Sequence, residues 1–122
     1  MEKNIKDLLG LTLVKTEIVD GDLHLHTLES GVGVFKAYGD CCAHAYVESI
    51  NESAVLPAKI LGWEHKSHRS ENDKYGESLD YDFYTMKTES GYIDVELRTS
   101  HNGYYSGALE WAGFVPAPVD FS

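Results

Sequence analysis

Leu11-Thr12-Leu13-Val14-Lys15-Thr16-Glu17-Ile18-Val19-Asp20-Gly21-Asp22-Leu23-His24-Leu25-His26-Thr27-Leu28 is the stretch that decides the fold. Residues 11–19 are β-branched and apolar, and residues 22–28 alternate strictly between apolar and polar. Asp20-Gly21 between them is the dipeptide that closes a two-residue hairpin loop, because both positions tolerate a positive φ. A loop of that length sets the register. Ile18 then faces Leu23 and Thr16 faces Leu25 toward a core, while Glu17 faces His24 and Lys15 faces His26 outside.

Working outward, Lys3 to Leu9 reads as a short helix with Ile5, Leu8 and Leu9 on one side, closed by Gly10. Glu29-Ser30-Gly31 turns the chain back into Val32–Tyr38, which brings Phe35 near Leu25. Ala43–Ile50 reads as a strand, although a helix could begin there. Asn51 caps a single expected turn over Glu52–Leu56, which Pro57 stops. Lys59–His65 is extended, and Ser67–Ser78 holds too little apolar material to pack, so a mobile loop is expected over about residues 67–78. Asp80–Thr88 and Tyr92–Thr99 flank Glu89-Ser90-Gly91 as another hairpin, with Met86 opposite Ile93 and Tyr84 opposite Val95. Tyr104–Trp111 is the last strand, and residues 115–122 form an extended tail whose prolines forbid pairing. The fold class expected is mainly β (α+β): one antiparallel sheet or half-barrel of about six or seven strands with one or two short helices. The 122 residues read as a single domain.

Twenty acidic residues against ten basic ones give a net charge of −10. No basic stripe is available for a phosphate backbone, so nucleic acid is not an expected partner. No apolar run is long enough to span a membrane. Cys41 and Cys42 are adjacent, which strains a disulfide between them, and the amino terminus lacks a signal-peptide pattern. Reduced thiols and a cytoplasmic location are expected.

The histidines invite a metal reading through His24/His26, through Cys41, Cys42 and His44, or through His65/His68. None of these spacings matches a structural zinc pattern, and no metal or cofactor is expected. A Cys nucleophile would use His44 or His101 as base, but Asp40 beside it opposes a thiolate. Asp80/Asp82 and Asp94/Glu96 each fit a solvated strand face, and Gly31-Val32-Gly33 lacks the lysine and helix of a phosphate loop. Eight tyrosines, two of them at Tyr104-Tyr105 beside Asn102-Gly103, supply rigid amphipathic surface of the kind enriched at binding sites.

Two candidate sites follow. One is a shared turn of Asp40, Cys41, Cys42, His101, Asn102, Tyr104 and Tyr105, brought together if the sheet closes on itself. The other is an acidic and aromatic face of Asp80, Tyr81, Asp82, Phe83, Asp94 and Glu96.

Leu8-Leu9-Gly10 leading into a strand, Gly39-Asp40-Cys41-Cys42 leading into Tyr46-Val47-Glu48-Ser49-Ile50, and Asn102-Gly103-Tyr104-Tyr105-Ser106 near the end form an ordered set. In that order the chain resembles a family of small bacteriophage and bacterial proteins of unknown function, over roughly residues 5 to 112. An acidic residue commonly follows the two cysteines in that family, whereas Ala43 stands here. The resemblance implies a phage-type accessory protein in a bacterial cytoplasm. The reading is a non-catalytic binder that inhibits a host defence protein through its acidic and aromatic face. The alternatives are a binder of a small ligand such as a signalling nucleotide at the shared turn, and a metal- or thiol-dependent enzyme.

Overall fold

The computed structural model describes residues 4–39, 43–72, 78–101 and 107–115. One 3-10 turn, Ile5–Asp7, precedes β1 (Thr12–Val19), β2 (Asp22–Thr27), β3 (Gly31–Gly39) and β4 (His44–Glu52). The long β5 (Ala58–Asn72), β6 (Ser78–Thr88), β7 (Gly91–His101) and β8 (Gly107–Val115) follow. These form one open antiparallel sheet in the order β4-β7-β6-β5-β1-β2-β3-β8. Among the described residues no helix is long and apolar enough to cross a membrane.

The deciding hairpin has the expected register, with Ile18 opposite Leu23, Thr16 opposite Leu25, Glu17 opposite His24 and Lys15 opposite His26, but Ile18, expected toward the core, is 41% exposed. Asp20 and Gly21 both take positive φ, 51° and 83°, as the two-residue loop requires. Leu23 and Leu25 are fully buried. The second hairpin also holds: Met86 faces Ile93 and Tyr84 faces Val95.

β5 joins the two halves of the sheet. Its first residues, Ala58 and Lys59, pair with β1, and from Ile60 onward it pairs with β6. The halves curl toward each other around a core that draws on both. Leu13, Leu23, Leu25, Phe35 and Leu109 come from one half, and Val47, Met86, Ile93, Val95 and Leu97 from the other. Hydrogen bonds close the curl. Val47 N–H donates to Gly21 C=O at 2.7 Å, tying the β1–β2 loop to β4, and Leu109 N–H donates to the Tyr84 hydroxyl oxygen at 3.2 Å, tying β8 to β6.

Three expectations are corrected. There are eight strands rather than six or seven, because every stretch with extended character pairs, β4 included. The helical turn at Glu52–Leu56 does not form. Asn51 and Glu52 continue β4 opposite Asp94 and Ile93, and Ser53 and Ala54 give their N–H groups to Tyr92 C=O. The loop expected from Ser67 is strand through Asn72, each residue of this polar run being matched by a partner between Phe83 and Ser78. Cross-strand pairing there overrides a composition that would not pack alone. The remainder of that expected loop, residues 73–77, and the tail after Val115 lie outside the described residues, and Val115 itself pairs with Val32.

Candidate functional site: a histidine–aspartate network

Alternation along β6 puts Asp80, Asp82, Tyr84 and Met86 on one face, and Met86 and Tyr84 belong to the core. Asp80 and Asp82 therefore point inward. Their side chains are each 7% exposed, so they do not belong to a solvated outer face. This corrects the acidic and aromatic face: of its six residues, only Tyr81, Phe83, Asp94 and Glu96 share the outer side.

β5 supplies the partners. His65 and His68 are three apart, which on a regular strand would send them to opposite faces. A bulge between His65 and Ser67 resets the alternation, so that His65 lies opposite Tyr84 and His68 opposite Asp82, both inward. Asp82 Oδ1 meets His65 Nε2 and His68 Nδ1, each at 2.8 Å. His68 Nε2 lies 3.1 Å from Ser70 Oγ, which donates to Asp80 Oδ1 at 2.7 Å. His101 Nε2 lies 2.9 Å from Asp80 Oδ2. A continuous polar chain thus runs His65, Asp82, His68, Ser70, Asp80, His101. The two carboxylates and His101 are buried, whereas the rings of His65 and His68 are 46% and 47% exposed.

Hydrogen-bond roles follow from the donor inventory. A carboxylate only accepts, so both rings donate to Asp82. Ser70 spends its single proton on Asp80 and can only accept from His68. The order Ser70–His68–Asp82 has the connectivity of a nucleophile, a base and its orienting acid. In this arrangement, however, Ser70 gives its proton to Asp80 and not to His68. The network orients imidazoles and does not activate a serine.

An aromatic ladder backs the network. Phe114, Trp111, Phe35, Trp63, Tyr84 and His65 follow one another with ring centroids 5.1, 5.2, 4.3, 5.3 and 4.8 Å apart. Burial draws the Tyr84 hydroxyl above its usual pKa. Opposite Asp80 in the ladder sits Thr99, fully buried, its Oγ1 without a hydrogen-bond partner among the described residues. β8 passes closely over it. A Cβ on Gly107 would stand 2.2 Å from that oxygen, so only glycine fits.

Asp40, Cys41, Cys42, Asn102, Tyr104 and Tyr105 lie outside the described residues. Of the shared-turn set, His101 is described, and it belongs to the polar chain through Asp80. The residues flanking the two stretches sit at one end of the sheet, since Gly39 pairs with Gly107 and His44 with Ser100. Among the described residues no group of three His, Cys, Asp or Glu side chains is arranged to hold a metal. His65 and His68 are committed to Asp82, and His26 to Glu17 at 2.7 Å, a bond that holds the Glu17 carboxyl below its usual pKa.

On the outer face Tyr81 lies beneath two guanidinium groups, Arg69 at 4.5 Å and Arg98 at 5.2 Å from its ring centre. Arg98 Nε donates to Glu96 at 2.8 Å, which raises the arginine further above its ordinary pKa, and Thr85 Oγ1 donates to Asp94 at 2.6 Å. The face is of mixed charge.

Residues 6–111, from the 3-10 turn into β8, match the model of a domain of unknown function, DUF7448. The chain belongs to the DUF7448 family. The matched span includes all six members of the polar chain, so the network lies within the DUF7448 domain. No curated protein and no solved structure matches the chain.

Proposed function

We propose that this DUF7448 protein is a non-catalytic binding protein whose ligand site is the inner-face histidine–aspartate network, and that the ligand is a small molecule of the nucleotide class. One observation carries the reading: buried Asp82 grips both His65 and His68 while their rings remain half exposed. A carboxylate behind an imidazole fixes the ring's orientation and which nitrogen bears hydrogen, as it does behind metal-bound histidines. Fixed rings at an open rim, continued inward by Tyr84 and Trp63, suit a flat partner, since bases stack on histidine and on other aromatic rings. The net charge of −10 repels an anion at long range, so binding to the short-range site should strengthen as salt screens it. Calorimetric titration with a panel of mono-, di- and cyclic nucleotides tests this. Binding to the wild type that rises with salt and is lost in Asp82→Ala supports the reading. No binding by any member, or equal binding by the variant, removes it.

A second reading is carried by the outer face, where Tyr81 beneath Arg69 and Arg98, with Phe83, Asp94 and Glu96, offers aromatic surface and both signs of charge. It is that of a phage-encoded protein in the host bacterial cytoplasm that occupies, and inhibits, a host defence protein. Asp94→Asn with Glu96→Gln should then weaken capture of that protein and flatten its salt dependence. Unchanged capture leaves the outer carboxylates as solubilising groups. Asp80 and Asp82 have no part in this test.

A further inference from the structure

A concave surface opens on the outer side of β5, β6 and β7. It has a volume of about 400 Å³ and is lined by Gly62, Trp63, Glu64, Thr85, Lys87 and Tyr92. The ladder arranges it in two rows. Gly62, Lys87 and Tyr92 lie side by side in one, and Glu64, Thr85 and Asp94 in the next.

Gly62 is the first clue. A glycine inside a strand weakens it and needs a reason, such as a required backbone shape or the close approach of another group. Its φ lies outside the positive region, and a Cβ there would meet nothing within 4 Å. The bulge between Ile60 and Gly62 accounts for a glycine at this point of the strand. Its missing side chain also leaves the cleft open beside Lys87.

Charge is the second clue. Glu64 and Lys87 are diagonal neighbours, about 7–8 Å apart at the backbone, close enough to contact one ligand from two ends. Among the described residues neither forms an ion pair. Asp94, held by the Thr85 hydroxyl, adds a second carboxylate to the Glu64 row. The cleft therefore has a negative end, a positive end and a half-exposed tyrosine ring as a wall. That wall is firmly placed, because Tyr92 C=O accepts from Ser53 N–H at 2.9 Å and Tyr92 N–H donates to Ser53 Oγ at 3.1 Å.

We propose that this cleft binds a zwitterion with an apolar side chain, an amino acid or the end of a short peptide. The ammonium group sits between Glu64 and Asp94, the carboxylate meets Lys87, and the side chain lies over Gly62 against Tyr92. The volume is at the lower end of the range for small-molecule sites and exceeds that of a single amino acid. Trp63 lies between this cleft and the inner-face site, and the two share no other named residue.

Amide-resolved NMR titration tests it, with L-phenylalanine as the probe and 2-phenylethylamine and 3-phenylpropionate as its two halves. The zwitterion should shift amides of residues 62–64, 85–87 and 92, with each half at least about tenfold weaker, the loss of one charged contact. Gly62→Leu should abolish the shifts while leaving the melting temperature unchanged or higher, since the added side chain has only open cleft to enter. Lys87→Glu should abolish them too. Absence of shifts at millimolar phenylalanine, equal binding of either half, or full binding by Gly62→Leu would each overturn the proposal.

Discussion

Replacing Asp82 by alanine removes the single atom, Oδ1, to which both His65 and His68 donate at 2.8 Å. Two hydrogen bonds to a buried carboxylate would be worth about 3–6 kcal/mol together if both partners were also buried. They are not: the rings are 46% and 47% exposed and can turn to water, which lowers each bond toward the surface value of about 0.5–1 kcal/mol. The carboxylate also loses its own desolvation cost when it is removed. The net expectation is a loss of about 1–2 kcal/mol, or about 3–10 °C in melting temperature for a domain of this size. Asp82→Asn keeps an amide oxygen that can still accept and should lose less. Thermal melts followed by near-ultraviolet dichroism report the stability, with Trp63 and Tyr84 as local probes. The ring nitrogen resonances of His65 and His68 report the network. In the wild type His65 Nε2 and His68 Nδ1 should show the donor pattern, and in Asp82→Ala that pattern should disappear. An unchanged melting temperature together with unchanged ring resonances would refute the network.

Three further outcomes follow from the packing and charge. Gly107→Ala forces a Cβ onto the Thr99 side chain and should destabilise by about 1–3 kcal/mol in a chemical denaturation series; full stability would show that β8 does not pass there. Phe35→Ala removes the ring stacked between Trp63 and Trp111 and should cost about 3–5 kcal/mol, with a changed tryptophan emission spectrum. The Glu29 carboxyl accepts from the Thr12 backbone N–H and hydroxyl, which hold its pKa below the usual value. A depressed folded-state pKa gives stability that is present above the unfolded value and is lost as pH falls through the folded one. Thr12→Val should move the Glu29 midpoint, read by carboxyl-carbon NMR, back toward the ordinary range, and an unmoved midpoint would contradict the assignment.

The sheet was legible wherever local rules act alone. Asp20-Gly21 imposes its own loop geometry, and alternation in residues 22–26 leaves one choice of buried face, so the register of that hairpin follows from the chain. The network was partly legible. Once Tyr84 and Met86 are placed inward, Asp80 and Asp82 must follow by alternation, and that signal was present in the sequence. His65 and His68 could not be joined to them in this way. Their common face depends on the extra residue bulged out between His65 and Ser67, a feature set by pairing with β6 and not by local composition. The same pairing turns the polar run Ser67–Asn72 into strand. The −10 charge likewise says nothing of where carboxylates point, and Asp80 and Asp82 lie inside, beside histidines.

The most direct test of the network as a ligand site is a titration with the tightest-binding nucleotide of the panel, followed on the ring signals of all six histidines. The account predicts that His65 and His68 shift together and saturate, while His24 and His26 on the far hairpin stay in place. Ring signals of His65 and His68 that remain still through saturation would contradict it.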